Sequence, residues 1–596
     1  MPNSQPIPPG TLQLVEAAPN PHGAPATRLF LVQGDATVER IEQIIPAPGT
    51  DLPPRRATGD GPFRLRILHI NDVHGHLLRF GSRGHRPIFS KIAWRIRELR
   101  QKHRDDPHTA VLALSAGDDL VGAVFDELLG DDPDSFQLHA GYRLYSAAGI
   151  DGGAFGNHDL DLGTRLIALG IRQDARFPLL SANLVGSRWL DGLYHPAAIF
   201  VTKGVRVGVI GLTTPAAIKP QRDSGVHVVN PVQVVHHLLP ALRPLCDVLV
   251  ILSHLGYSLA TNSAAVTEAG DVELARSLPP GSVQLIVGGH THHVLNEQGL
   301  SATNIINRVP IVQAGALGRF LGEVDITVQH TAHVTNARLT PTADLPEDEE
   351  FEQVHVQPLV ALAEPLFKRV LGSVADHPDL TTDAVRNGFA AGELALANFV
   401  ADALVTRCRA NGHNVDLAVV DASCLRCGLP GPEVTFGDWF AIMPFADTIR
   451  ICWLTGRQLK ELVEDNARRA DQPGEPHTER GFIQFSRQLR YILTLNNSRE
   501  QATATNITVN SLPLDEQLER SFLMACSSYL GQYAAAQPGA MAGANSWPHL
   551  ETHLLLRDEL VTYIRDSGGV TTEAGARRDG RLQVIQPLNS GVGSKE

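Results

Sequence analysis

Cysteine is scarce in this chain, with six in 596 residues, too few for a disulfide scaffold. Cys424 and Cys427 form a lone CxxC. No second pair completes a zinc site, so the motif reads as two cysteines sharing a loop rather than a redox centre. Long apolar runs are missing as well: no stretch approaches the roughly 18 residues that a membrane span requires. The opening MPNSQPIPPG has neither the basic start nor the apolar core of a signal peptide. Cytoplasmic residence is therefore the expectation. Positive charge is also in short supply, with 51 Lys and Arg against 64 Asp and Glu, net −13. That balance speaks against a general nucleic-acid or anionic-membrane binder, which needs a basic surface, but is compatible with a small anionic substrate held by metal ions.

What is present is ordinary for a soluble globular protein with sizeable cores: 43% hydrophobic and 19% charged residues. The length predicts more than one domain. Residues 1–62 are rich in Pro, Ala and Gly and read as an N-terminal extension with little core of its own. From Phe63 the pattern changes. The runs RLRILHI, TAVLALS, FPLLSAN, VRVGVIG, CDVLVILS, VQLIVGG and VPIVQAG alternate with helix-like stretches such as SKIAWRIRELRQK. Short apolar runs ending in small or polar residues predict buried strands, and their alternation with helices predicts an α/β domain over 63–340. The acidic PTADLPEDEE then opens a linker with a helical second half over 341–371, and a second α/β block occupies 372–590.

Chemistry-bearing residues gather at the carboxyl ends of the predicted strands, where α/β sheets collect their ligands. Asp72 and His74 follow RLRILHI, and Asp118 follows TAVLALS. Asn157 and His158 stand in GNHD, His254 ends DVLVILSH, and His290 and His292 form GHTH after QLIVGG. A carboxylate and an imidazole two residues apart can turn toward one ion, a second carboxylate can bridge two, and an amide adds a neutral oxygen. Two divalent cations about 3.5–4 Å apart can polarise a phosphoryl group and generate hydroxide at neutral pH. Mixed imidazole and oxygen ligands favour Mn, Zn, Fe, Co or Ni over Ca or Mg. Any single one of the 25 histidines is better read as surface or structural; five clusters, each after a strand, are not.

DVHGH, GDD, GNHD, SHLG and GHTH together resemble the motifs of calcineurin-like metallophosphoesterases, specifically the 5′-nucleotidase branch. GNHDLDLG, FPLLSANL, VGVIGLTTP, QAGALGRFLGEVDI and VTFGDWFAIMPFADTIRICWLTGRQLKELVE extend the likeness over about residues 63–463. The resemblance implies a four-layer α/β/β/α catalytic domain joined by a helix to a C-terminal substrate-binding domain. It implies Asp72, His74, Asp118 and His292 as the first metal site, and Asp118, Asn157, His254 and His290 as the second. It further implies His158 and Asp161 as a catalytic dyad, with Asp159 the competitor for the carboxylate's role. An imidazole beside the metals can stabilise charge on the transferring phosphoryl group or protonate the leaving oxygen, and a carboxylate three residues on can orient it. The family is often periplasmic or secreted, against the cytoplasmic expectation above.

The second block departs from the family pattern. The usual Asn-Gly-Gly-Ile-Arg appears as DASCLR, which keeps Arg426 and loses both glycines that allow close backbone approach. The usual Pro-Phe-Gly-Asn appears as PFAD: Phe445 can still stack on a base, while Asp447 puts an acceptor-only carboxylate where an amide donates. The late Phe with Gly-Gly-Asp-Gly is missing, and Tyr529, or alternatively Tyr533, takes the place of the second ring. Arg386 and Asn398 match family positions more loosely. In the first block Pro87 and Ile88 replace a glycine pair.

The expected function is hydrolysis of phosphate esters, nucleotides foremost, with no nucleic-acid or membrane partner. The competing readings are a metal-retaining scaffold without turnover, and a phosphodiesterase or nucleotide-sugar hydrolase with a non-standard substrate.

Overall fold

The computed structural model describes residues 10–585 except 57–59, 82–83, 121–123, 131, 161–162, 215–225, 259–269, 389–391, 422–424, 444–446, 471–481, 496–501, 533–540 and 542–546. The chain divides into two compact units, residues 1–363 and 364–596.

The first unit is built on two large sheets. In the seven-stranded sheet, Phe63–Ile70, Thr109–Ser115, Gly152–Ala154 and Leu179–Leu180 run parallel in succession. In the nine-stranded sheet, Val205–Thr213, Val248–His254, Leu285–Val287 and Val309–Val312 do the same. Strands buried on both faces read as near-continuous apolar runs, and TAVLALS and VLVILSH are buried at every position. One core lies between the sheets, with Leu65, Ile67, Leu112 and Leu114 on one side and Val207, Val209, Val250 and Leu252 on the other. A second core lies outside the nine-stranded sheet, where Val234 and Leu238 of helix Pro231–Leu242 and Leu274 of helix Asp271–Ser277 cover Ile199, Ile210 and Ile251. Helices Phe89–Lys102, Ala140–Ala148 and Thr164–Asp174 pack in series on the seven-stranded side. The layers are α/β/β/α.

The segment read as an extension is part of this architecture. Strand Thr27–Gln33 pairs antiparallel with Ala197–Thr202, strand Thr11–Ala17 pairs with Thr27–Gln33, and Gln43–Pro46 pairs with Thr11–Ala17. Leu12, Leu14, Phe30 and Val32 are buried in the outer core. Three strands between residues 11 and 46 thus belong to the nine-stranded sheet, and the first compact unit runs through residue 62 without a break. The alternation of Leu12 with Leu14 and of Phe30 with Val32 carries this signal, diluted by Pro- and Gly-rich turns on either side.

The helical run Glu349–Phe351, Glu352–Val356 and Gln357–Phe367 is α-helical except for one π turn in the middle, and the division between the units falls in its last part. The second unit holds a five-stranded sheet with Leu417–Asp421, Ser521–Ser527 and Thr448–Thr455 side by side. It also holds a four-stranded sheet and the deeply buried helix Ala395–Ala410. Among the described residues, no helix is long and apolar enough to cross a membrane.

Candidate metal centre

Parallel strands in both sheets of the first unit end on a common set of loops, and the expected ligands meet there. One nitrogen or oxygen from each of Asp72, His74 and His292 lies within 4.8 Å of the others, and Asp118, His254 and His290 form a second such group. Asp118 also reaches the first group: its Oδ2 is 3.0 Å from His254 Nε2 and 3.9 Å from His74 Nε2. His292 Nε2 stands 3.3 Å from Asp72 Oδ1 and 3.2 Å from His74 Nε2. His254 Nδ1 is 2.6 Å from the Ala116 carbonyl. A bond of that kind fixes the ring and leaves Nε2 for a ligand.

The backbone is strained where the ligands stand. Asp72, His74, Asp118, His290 and His292 all have φ between 50° and 76°. Left-handed backbone is uncommon outside glycine, costs about 1–3 kcal/mol per residue, and persists where surrounding structure over-determines it. Two glycines allow the loops to touch. A Cβ at Gly156 would collide with the Asp118 carboxylate, and one at Gly117 would collide with the Gly156 backbone.

Hydrogen bonds hold the carboxylates. Asp72 accepts from the His290 N–H at 2.9 and 3.1 Å and from Asn71 Nδ2 at 2.7 Å. Asp118 Oδ1 accepts from the His158 N–H at 2.8 Å. Burial works against charge on Asp72 and Asp118, but the surrounding imidazoles prevail and hold both carboxyls below their ordinary range. Burial pushes His74 down to about 4 and His290 to about 3, so both rings are neutral, as metal ligands must be. For His254, burial is outweighed by Asp118, and the ring is raised to about 10, so its Nε2 proton is one that a bound cation would have to displace.

Asn157 is buried with its Oδ1 lacking any hydrogen-bond partner. An unpaired buried carbonyl oxygen is costly. Its place beside Asp118 and a set of carboxylates and neutral imidazoles suits a divalent cation, so the residues fit a two-ion centre. His158 is half-buried, its ring centroid 5.4 Å from that of His74. Asp161 lies outside the described residues. Asp159 is occupied elsewhere. Its Oδ1 accepts from the N–H groups of Asp119 and Leu120, and its Oδ2 from those of Asp118 and Gly156. It clamps the Asp118 loop to the GNHD loop, a role that the motif alone did not reveal.

In the second unit, the Arg426 N–H bonds the Ile442 carbonyl, and Gly428 and Leu429 bond Thr382 and Leu380 at the start of the helix bearing Arg386. The Thr448 N–H, next to Asp447, bonds Ser528 Oγ, next to Tyr529. Arg426 and Asp447 are half-buried, and Arg386 and Tyr529 are exposed. Phe445, Tyr533 and Cys424 lie outside the described residues. Asn398 is fully buried, bonded to Glu393 Oε1 and the Arg577 carbonyl, so it braces the unit's interior.

Fold and site together define an α/β protein with a candidate two-ion centre. The calcineurin-like phosphoesterase pattern matches residues 65–294, and the 5′-nucleotidase C-terminal domain pattern matches residues 370–535. The chain belongs to the calcineurin-like phosphoesterases that carry a 5′-nucleotidase C-terminal domain, a class of metal-dependent hydrolases. The trifunctional nucleotide phosphoesterase YfkN of Bacillus subtilis is 24% identical over 74% of the chain. The chain spans only 29% of that protein's length. The 5′-nucleotidase of Vibrio cholerae is 25% identical over 69% of this chain and 77% of its own. Two solved structures share the fold. The 5′-nucleotidase precursor of Thermus thermophilus has TM-score 0.51 and 22% identity, over 88% of this chain and 99% of its own. The NAD nucleotidase of Haemophilus influenzae has TM-score 0.56 and 17% identity, over the same shares.

Proposed function

We propose that this protein hydrolyses phosphate monoesters of nucleotides or closely related compounds at the centre formed by the two histidine–carboxylate groups. The carrying observation is the convergence of Asp72, His74 and His292 with Asp118, His254 and His290, bridged by Asp118. Asp72, His74 and His292 would hold one cation, and Asn157, His254 and His290 the other, with Asp118 between them. Mn, Zn, Fe, Co and Ni all suit this donor set. When bound, the pair supplies charge to polarise a phosphoryl oxygen and to acidify water.

The chain's own residues do the rest. His158 stands next to Asn157 with its backbone held by Asp118, where an imidazole can donate to a phosphoryl oxygen or to the leaving oxygen. Asp161, three residues on, is assigned the part of orienting that ring. The left-handed backbone at five ligand positions presents the donors without further rearrangement, which lowers the cost of assembling the centre. Arg426 and Arg386 are assigned charge recognition of the substrate, and Tyr529 and Phe445 ring stacking. Asp447 is an acceptor that would disfavour an added phosphate.

The names of the relatives support nucleotides as the substrate class. The test is phosphate release from a panel of nucleotides, sugar phosphates and an aryl phosphate, after chelation and after adding Mn. Metal-restored hydrolysis of at least one 5′-nucleotide supports the reading. Two bound ions with no phosphate release from any compound would make the chain a scaffold and reject it.

A further inference from the structure

Gln313 follows strand Val309–Val312 and is 0% exposed. Its amide nitrogen donates to the Gly289 carbonyl at 2.6 Å. Its amide oxygen accepts from the His293 N–H and, at 3.3 Å, from the Thr291 hydroxyl. One side chain thus grips residues 289–293 at three successive points. The two histidines between those points, His290 and His292, belong to different metal groups, and both have left-handed backbone, φ 76° and 55°. Such a conformation survives only if its surroundings leave no alternative, and Gln313 supplies fixed partners on both sides of each histidine.

The grip extends to the other ligand loops. Thr291 Oγ1 also accepts from the N–H of Tyr257, three residues after His254, at 3.0 Å. The Ala314 N–H donates to Asn71 Oδ1, and Asn71 Nδ2 donates to the Gly315 carbonyl and to Asp72 Oδ2, each at 2.7 Å. Residues 313–315 therefore connect the loops of Asp72, His254 and His290–His292 without a titratable group of their own.

We propose that Gln313 is a positioning residue for both ions: it touches neither, but sets the affinity of both through the geometry of His290 and His292. The proposal rests on the two-ion reading above. Gln313→Met keeps length and packing while removing the amide. The full chain is stripped of metal, checked for fold by circular dichroism, and titrated with Mn by calorimetry. Manganese binding should weaken about 10–100-fold at both sites, the range for losing a group that orients a metal ligand. The Mn concentration for half-maximal hydrolysis should rise in step, with kcat at saturating Mn falling far less. Thr291→Val, which removes the hydroxyl's bonds to Gln313, to the Tyr257 N–H and to His293 Nδ1, should move affinity in the same direction and carries the test if Gln313→Met does not fold. Wild-type affinity at both sites in a folded Gln313→Met chain overturns the proposal, as does wild-type affinity in Thr291→Val when Gln313→Met fails to fold. A wild-type chain that binds fewer than two Mn ions overturns the two-ion reading and this proposal with it.

Discussion

Replacing His69 by leucine should change how stability depends on pH, by an amount that follows from burial alone. His69 sits in strand Phe63–Ile70 against Gly322 of the neighbouring strand, is 1% exposed, and has no hydrogen-bond partner at either ring nitrogen. Burial pushes the imidazole from its ordinary 6.5 down to about 3. Below pH 6.5 the unfolded chain therefore takes up a proton that the folded chain refuses. The stability associated with this group is fully present above pH 6.5 and is lost as pH falls toward 3, at about 1.4 kcal/mol per pH unit. At pH 5 the loss is about 2 kcal/mol. Leucine does not titrate and leaves no unpaired ring nitrogens, so the variant should be no less stable at pH 8 and should gain on wild type by that slope below 6.5. The assay is guanidinium unfolding of the metal-stripped full chain at pH 8, 6.5, 5.5 and 5. Taking the difference between the two proteins cancels every other titrating group. Parallel stability curves across that range would show that His69 is not held neutral by burial and would refute the reasoning.

Three further outcomes follow from the site. Asp118→Ala should bind neither ion and lose all hydrolysis, because its carboxylate contacts imidazoles of both groups; elemental analysis showing two metals per chain would contradict this. His158→Asn should fold and bind metal, with turnover reduced by about 10²–10⁴-fold, whereas near-wild-type turnover would mean the ring does not serve the reaction. The altered PFAD and DASCLR segments should leave weak preference for adenosine monophosphate over an aryl phosphate, and Phe445→Ala should erase what preference exists; a strong preference untouched by the substitution would rule out the proposed roles of Phe445 and Asp447.

Much of the site was legible in the linear chain because its chemistry constrains residue type at adjacent positions. Asp72 with His74, Asn157 with His158, and His290 with His292 each sit within two residues of one another and follow an apolar run that only a buried strand explains. Parallel strands all end on one side of their sheet, so their trailing loops had to share a neighbourhood. The α/β character of both units was readable for the same reason: a strand buried on both faces has little freedom in composition. The strands of residues 11–46 were harder to see, since two short alternating stretches among Pro- and Gly-rich turns become sheet only when Ala197–Thr202 offers an edge to pair with. Asp159, Asn71 and Gln313 were beyond reach for a different reason. Each acts by bonding backbone groups far away in sequence, Gln313 on residues 289–293 and Asn71 on 314 and 315. Backbone donors and acceptors are the same at every residue, so they leave no mark on the sequence they belong to. Which of them meet a given amide or carboxylate, and which ligands are thereby forced into left-handed backbone, is settled only when the two sheets pack and bring their loops together.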